Sequence, residues 1–337
     1  DALPISNAFL KPARHRSNLT VHTSAQATQI LMNGTKAVGV KYLRKGKPMS
    51  AQADQEVVLS GGVFNTPQLL MLSGIGPADH LQEFGIACLS DLPVGKNLQD
   101  HLVASNFWTR PKNTSPFREE LRFDKIAISM ARAYLFGTGP GTVVPGGMHA
   151  FLKSTPDVEA ADWEFLFRGA PLAANPWFPG IKKKYEDGYA IRCGILHPKS
   201  RGEARLRSTN PLDPLVIDFR FLTKNEDLVS LREGLKVARE VANQEALAPY
   251  RGRELTPGPN IKTDAELDEF IRNTVVTIDH PASTCPMGTG PDCVLDPDLK
   301  VRGIQHLRVV DGSAMPDLTS AHTNSTILMI AEKAFSA

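Results

Sequence analysis

Cysteine is scarce in this chain: Cys88, Cys193, Cys285 and Cys293 are the only four in 337 residues. No two of them stand in a CxxC pair, which argues against a zinc site. So few thiols in so long a chain also argue against a disulfide framework. Long apolar runs are missing too, since none reaches the roughly 18 residues that a membrane-spanning helix needs. Charge of one sign is not in excess: the formal net charge is +2, and no nucleic-acid or membrane partner is implied. There is neither an initiator Met nor a basic segment followed by an apolar one, so no signal peptide is visible. A reduced, cytoplasmic compartment is the expectation. DALPIS, residues 1–6, also matches a translated sequencing adaptor, so it is expected to be a leader foreign to the rest.

What is present falls into three textures. NLTVHTSAQATQIL (18–31) alternates and is rich in Val, Thr and Ile, so a strand is expected, with a hairpin turn at Asn33-Gly34 and a returning strand over 37–46. QEVVLSGG (55–62) predicts a short apolar strand stopping at two glycines. The helix after it is expected to be capped by Thr66, with Pro67 at its first position and Gly74 at its left-handed end. Strand, paired glycines, helix is the local grammar of a nucleotide-binding α/β layer.

From about residue 104 tryptophans, phenylalanines and Pro/Gly-rich loops such as 136–147 take over. GEARLRS (202–208) and PLVIDFRF (214–221) predict strands, and 226–247 predicts an amphipathic helix from its three- and four-residue apolar spacing. An antiparallel sheet with helices packed on it is expected here. Trp163, Phe165, Phe167 and Trp177 suit either its core or a substrate funnel; Lys182-Lys183-Lys184 suits a solvated loop. Over the last sixty residues LRVVD predicts a buried strand. SAHTNSTILMIAEKAF (320–335) predicts a helix capped by Thr323 or Asn324 and buried on most sides.

Two histidines carry the chemistry. His322 immediately precedes the last helix, whose N-terminus favours negative charge. His280 sits in TIDHPASTCPMG (277–288), beside another turn rich in small residues. Either alone suits a structural histidine. As a pair they suit alcohol oxidation, one imidazole taking the hydroxyl proton while the other holds the oxygen. No side chain accepts a hydride, so a nicotinamide or flavin is required.

GGVFNTPQLLMLSGIGPADHLQEFGI (61–86) resembles a signature of the glucose–methanol–choline (GMC) oxidoreductases. DLPVGKNLQDH (91–101), HPKSRGEARLRS (197–208), DHPASTCPMG (279–288), 295–316 and TNSTILMIAEKA (323–334) resemble further blocks of that family, in its order. Within it, MIAEKA and HPKSRG look most like the choline-dehydrogenase-like branch. The resemblance implies FAD, covalent or not, and oxidation of a small-molecule alcohol by proton removal and hydride transfer to flavin N5, with the electron acceptor unknown. It places His280 and His322 at the two active-site positions and leaves open which is the base. It also implies flavin contacts at Ala27, at Asp311 and Gly312, and at the helix start Asn324-Ser325.

The fold it implies is an α/β FAD-binding, Rossmann-like domain, present in part over 7–103 and 276–337. An α+β substrate domain with an antiparallel sheet is inserted over 104–275. Val63, Ser283 and Thr326 depart from the family pattern, as does the short DLPVGKN segment. The strand–GxGxxG–helix unit that receives the FAD diphosphate is absent. A C-terminal fragment with exposed apolar edges, inactive by itself, is therefore expected. Two alternatives stand beside oxidation: a hydroxynitrile-lyase-like member of the same fold, and a non-catalytic fragment without flavin.

Overall fold

The computed structural model describes residues 5–111, 117–142, 147–171 and 174–336. Residues 1–4 of the expected leader and 143–146 of the Pro/Gly loop lie outside them. Strands β1 (Ala25–Asn33), β2 (Lys36–Arg44) and β3 (Lys47–Gln52) form an antiparallel meander. The first turn falls at Gly34, with φ +60°. The first strand is shorter than expected. Ala25 pairs with Arg44, the last residue of β2, so 18–24 run beyond the ladder.

Strand β4 (Val57–Leu59) leads into helix α1 (Gly62–Leu72). The expected start of this helix is corrected: it begins at Gly62, and Pro67 lies inside it. An interior proline leaves the carbonyl four residues earlier without its N–H. Here that carbonyl belongs to Val63, and it accepts the Thr284 hydroxyl at 2.6 Å. Thr66 does not cap either. Its buried hydroxyl donates to Asp311 Oδ2 at 2.6 Å. Gly74 does take the left-handed conformation, with φ +83°.

Beyond β5 (Lys96–Leu98) lie β6 (Leu102–Thr109), β7 (Met148–Leu152), β8 (Trp163–Arg168), β9 (Gly188–Ile195), β10 (Gly202–Arg205) and β11 (Val216–Asp218). Helix α2 (Asn225–Ala242), β12 (Glu254–Thr256), helix α3 (Asp264–Thr274) and β13 (Val276–Thr277) follow. The expected antiparallel sheet has the order β12–β6–β9–β8–β7, with β13 also on β6. The strands foreseen over 202–208 and 214–221 do not join it; β10 pairs with β11 on one side and β5 on the other in a separate sheet.

WEFLFR in β8 shows why the large sheet has two different faces, because successive side chains of a strand point to opposite sides. Trp163 and Phe165 share one face with Cys193 and Ile195, and pack on Leu231 and Leu235 of α2. Contact there is tight: a Cβ on Gly234 would sit 2.0 Å from Cys193 Sγ. Glu164, Leu166 and Arg168 point the other way, with Arg192 and Gly194 opposite them in the ladder. This second face meets the site.

Strand β14 (Leu307–Val309) pairs parallel to β4, and the chain ends in helix α4 (Asn324–Phe335). The expectation that α4 is buried on most sides does not hold. Ile327, Ile330, Ala331 and Ala334 form one stripe against the core, whereas Met329 and Phe335 are 61% and 62% exposed. The helix lies on the surface of the β4–β14 layer. All four cysteines are free. No helix among the described residues is long and apolar enough to cross a membrane.

Candidate active site

His280 is placed by Asp100, at the end of the segment that feeds β6. The Asp100 carboxylate accepts the His280 backbone N–H at 3.0 Å and also the Thr277 hydroxyl. Burial pushes the Asp100 carboxyl up to about 6, with these hydrogen bonds opposing. His322 arrives from the start of α4. Its ring centroid lies 4.5 Å from that of His280. The two histidines, 42 positions apart in sequence, do meet, and both line a cavity of about 180 Å³.

The neighbours of His280 decide where its proton sits. His101 Nε2 lies 3.2 Å from the Thr319 carbonyl, which can only accept, so this nitrogen carries a proton. Burial, reinforced by His280, pushes His101 down to about 4, so it is neutral near pH 7 and its Nδ1 is bare. That bare Nδ1 lies 3.0 Å from His280 Nδ1 and must accept a proton from it. Neutral His280 therefore carries its hydrogen on Nδ1, leaving Nε2 as a lone pair. Burial and the adjacent His322 lower the pKa of His280, which favours this neutral form.

His322 is held differently. Its Nε2 donates to Glu164 Oε1 at 2.9 Å, and His149 Nδ1 donates to the same oxygen at 2.6 Å. Glu164 is 3% exposed. Burial raises its pKa, but the two imidazole hydrogen bonds outweigh that and hold it lowered. The donor atoms of His149, Glu164 and His322 all lie within 4.8 Å of one another, a set that could also ligate a metal. With both imidazoles bonded to one oxygen, the arrangement is a hydrogen-bonded brace for His322.

The residues expected to touch a flavin surround the β4–α1 junction. Ala27 lines a cleft of about 350 Å³ with Ser60, Gly61 and Thr66. Asp311 is nearby, but its carboxylate already accepts from Gly62 N, Thr66 Oγ1, Ser313 N and Ser313 Oγ. What residues 311–312 leave for a ligand is backbone. A Cβ on Gly312 would lie 3.1 Å from Ile327 Cδ1 and 3.2 Å from Val63 Cγ2, so α1 and α4 converge on that glycine. Asn324 and Ser325 open α4 and are exposed. Neither expected cap forms, because Thr323 makes no side-chain capping bond. The first N–H groups of α4 thus stay available.

Ser283 departs from a glycine in the family pattern, and its backbone shows the consequence. It is fully buried with φ +71°, and its hydroxyl has no hydrogen-bond partner. Left-handed backbone at a non-glycine residue costs about 1–2 kcal/mol, and an unpaired buried hydroxyl costs about 1–3 kcal/mol. Ser283→Gly is expected to stabilise the protein by about 1 kcal/mol after glycine's extra chain entropy is subtracted. Thermal unfolding of the pair checks this; an unchanged or lower Tm contradicts the strain.

Trp163, Phe165, Phe167 and Trp177 do not line the histidine cavity. The first two are core residues under α2. His101, Glu164 and His149 were missed from the sequence. Only the placement of His101 within DLPVGKNLQDH hinted at a role.

The site thus brings two histidines together beside a small cavity, each held by its own hydrogen-bond partners. Comparison with known proteins gives the family. Models described as GMC oxidoreductase match residues 4–103 and 198–331, and the chain belongs to that family. It is 40% identical to the mitochondrial choline dehydrogenase of Homo sapiens over 97% of this chain and 55% of that protein. It is 39% identical to an alcohol dehydrogenase [acceptor] of Pseudomonas putida over 98% of this chain and 59% of that protein. Among solved structures, pyridoxine 4-oxidase from Mesorbium loti superposes with a TM-score of 0.82 at 31% identity, covering 98% of this chain and 60% of that one. A formate oxidase of Aspergillus oryzae gives a TM-score of 0.86 at 25% identity, over 96% and 61%. The chain thus spans a little over half the length of the curated relatives it matches.

Proposed function

We propose that this chain supplies the acid–base half of an FAD-dependent alcohol oxidoreductase, with His280 taking the hydroxyl proton. The observation that carries this is the Thr319–His101–His280 hydrogen-bond chain, which leaves His280 Nε2 bare beside the cavity. A neutral imidazole nitrogen with that lone pair is a general base suited to neutral pH. His322 is the partner that holds the substrate oxygen, its ring fixed by the buried Glu164. The Glu164 carboxylate also offsets the positive charge that develops when His280 is protonated, one of the causes acting on that ring.

The residues present fit part of an FAD site. The Ala27 cleft, the Gly61-Gly62 and Gly312 backbone, and the uncapped start of α4 at Asn324-Ser325 offer shape and N–H donors in one connected region. Bound there, FAD supplies the hydride acceptor that no side chain provides. The helix N-terminus favours negative charge on a bound group. Alcohol oxidation suits the names of the relatives, which are dehydrogenases and oxidases.

Adding an alcohol to the flavin-loaded protein without oxygen tests the reading. Bleaching of the flavin band is expected. A flavin that stays oxidised while the small molecule is cleaved would point to lyase chemistry instead, and a protein that never takes up flavin would leave the fragment reading.

A further inference from the structure

The cavity beside the histidines contains a cation that no carboxylate among the described residues pairs with at ion-pair distance. Arg192, on β9, lines it together with His280 and His322. Its Nε is buried and has no hydrogen-bond partner, and it forms no ion pair among the described residues. Buried donors are nearly always paired, and an unpaired guanidinium is a costlier exception than an unpaired hydroxyl. Arg168, on the same face of the sheet one pair along the ladder, also has a buried, unpartnered Nε. Burial first, and then the Arg168 charge, disfavour the charged form of Arg192, with Glu164 and Asp279 opposing them.

Two carboxylates are in the neighbourhood and neither completes the pairing. Glu164 Oε1 is taken by His149 and His322, and its buried Oε2 has no hydrogen-bond partner, so it attracts Arg192 electrostatically without bonding to it. Asp279 lines the cavity but is exposed and makes no ion pair with Arg192. Apart from the two histidines, no ring among the described residues lines this cavity. It therefore offers none of the aromatic faces that receive a quaternary ammonium.

Resting on the proposed function, we infer that the alcohol taken by this site carries a carboxylate, and that Arg192 receives it while His280 and His322 hold the hydroxyl. A guanidinium presents its N–H groups in a fork that matches a carboxylate's two oxygens. The small cavity requires the acid and the alcohol on one short skeleton. This specificity differs from that named for the choline dehydrogenase relatives, whose substrate is a cation.

The test uses the flavin-loaded protein and three primary alcohols of similar size: 4-hydroxybutanoate, its neutral amide, and choline. Anaerobic flavin reduction is expected to favour the acid over the amide by about 10- to 100-fold in kcat/KM, the worth of a charged hydrogen bond. Arg192→Met should remove that preference chiefly through KM, while Arg192→Lys should keep part of it. Calorimetric binding of succinate to wild type, compared with its diamide, reads the subsite without any turnover. Preferential succinate binding with no alcohol oxidised sustains the subsite and overturns the oxidation reading. Oxidation that favours choline or the amide, or an acid preference unchanged in Arg192→Met, overturns the inference and leaves the oxidation reading standing. Should Arg192→Met not fold, the wild-type comparison of succinate with its diamide decides: equal affinity overturns the inference.

Discussion

Replacing His280 with alanine in the flavin-loaded protein is expected to slow alcohol-driven flavin reduction by about 10²-fold or more, the scale of lost general-base catalysis. The expectation follows from hydrogen-bond accounting at the site. His280 Nδ1 is committed to His101, and Nε2 is the lone pair left beside the cavity. The rival base is His322, which keeps a bare Nδ1 when neutral. His322 already uses Nε2 as a donor to Glu164, and Asp100 is occupied by Thr277 and the His280 backbone. His322→Asn should cost much less, because an amide can still donate to Glu164 and hold the substrate oxygen. Rapid mixing without oxygen reads both rates. Equal losses in the two variants, or a larger loss in His322→Asn, would transfer the base to His322.

His101→Phe is expected to give the second large loss, about 10²-fold in the same step, through the proton arrangement of His280 and not through substrate contact. Without the bare Nδ1 of His101, nothing holds the His280 proton on its inner nitrogen, and the tautomer with Nε2 protonated becomes accessible. That form cannot take a proton where the substrate sits. His101→Gln restores an acceptor oxygen and should recover much of the rate; a merely steric role for His101 predicts no such recovery.

The pH dependence has a definite sign. His280 is held below its ordinary value, so the acid limb of kcat/KM should lie below the roughly 6.5 of a free histidine. His101 is depressed to about 4. Its folded pKa lies below its unfolded one, so the unfolded chain binds the extra proton between those values. The stability from keeping it neutral is complete above about pH 6.5 and is lost as the pH falls toward 4. His101→Phe should lack that part of the acid sensitivity. Unfolding midpoints of the two proteins between pH 4 and 7 give the comparison.

How much of this was legible in the sequence depended on the range of the interactions. The Asn33-Gly34 turn, the end of α1 at Gly74 and the start of α2 are local and formed where expected, although α2 ends at Ala242, short of the expected 247. The start of α1 was misplaced because a proline rule placed Pro67 at the first position. The compensation for an interior proline comes from Thr284, more than 200 residues away. The burial of α4 was overestimated because its composition is apolar all round, yet only one stripe meets the core.

At the site, His280 and His322 stood out by their turns and by family resemblance. His101 did not, since its role rests on contacts 179 and 218 residues along the chain. Glu164 and Arg192 were hidden inside strands that read as core. Only the ladder shows that both face away from the α2 side of the sheet. Asp311, expected at the cofactor, has a carboxylate fully engaged by α1 and its own turn. Its contribution to a ligand is then through backbone.

The most direct measurement is the ring-nitrogen spectrum of His280 in the flavin-loaded protein, labelled with ¹⁵N in histidine alone and assigned with His280→Gln. At pH 7.5 the account predicts a protonated Nδ1 and a bare Nε2. A spectrum with the proton on Nε2, or with both nitrogens protonated, would contradict the assignment of His280 as the base.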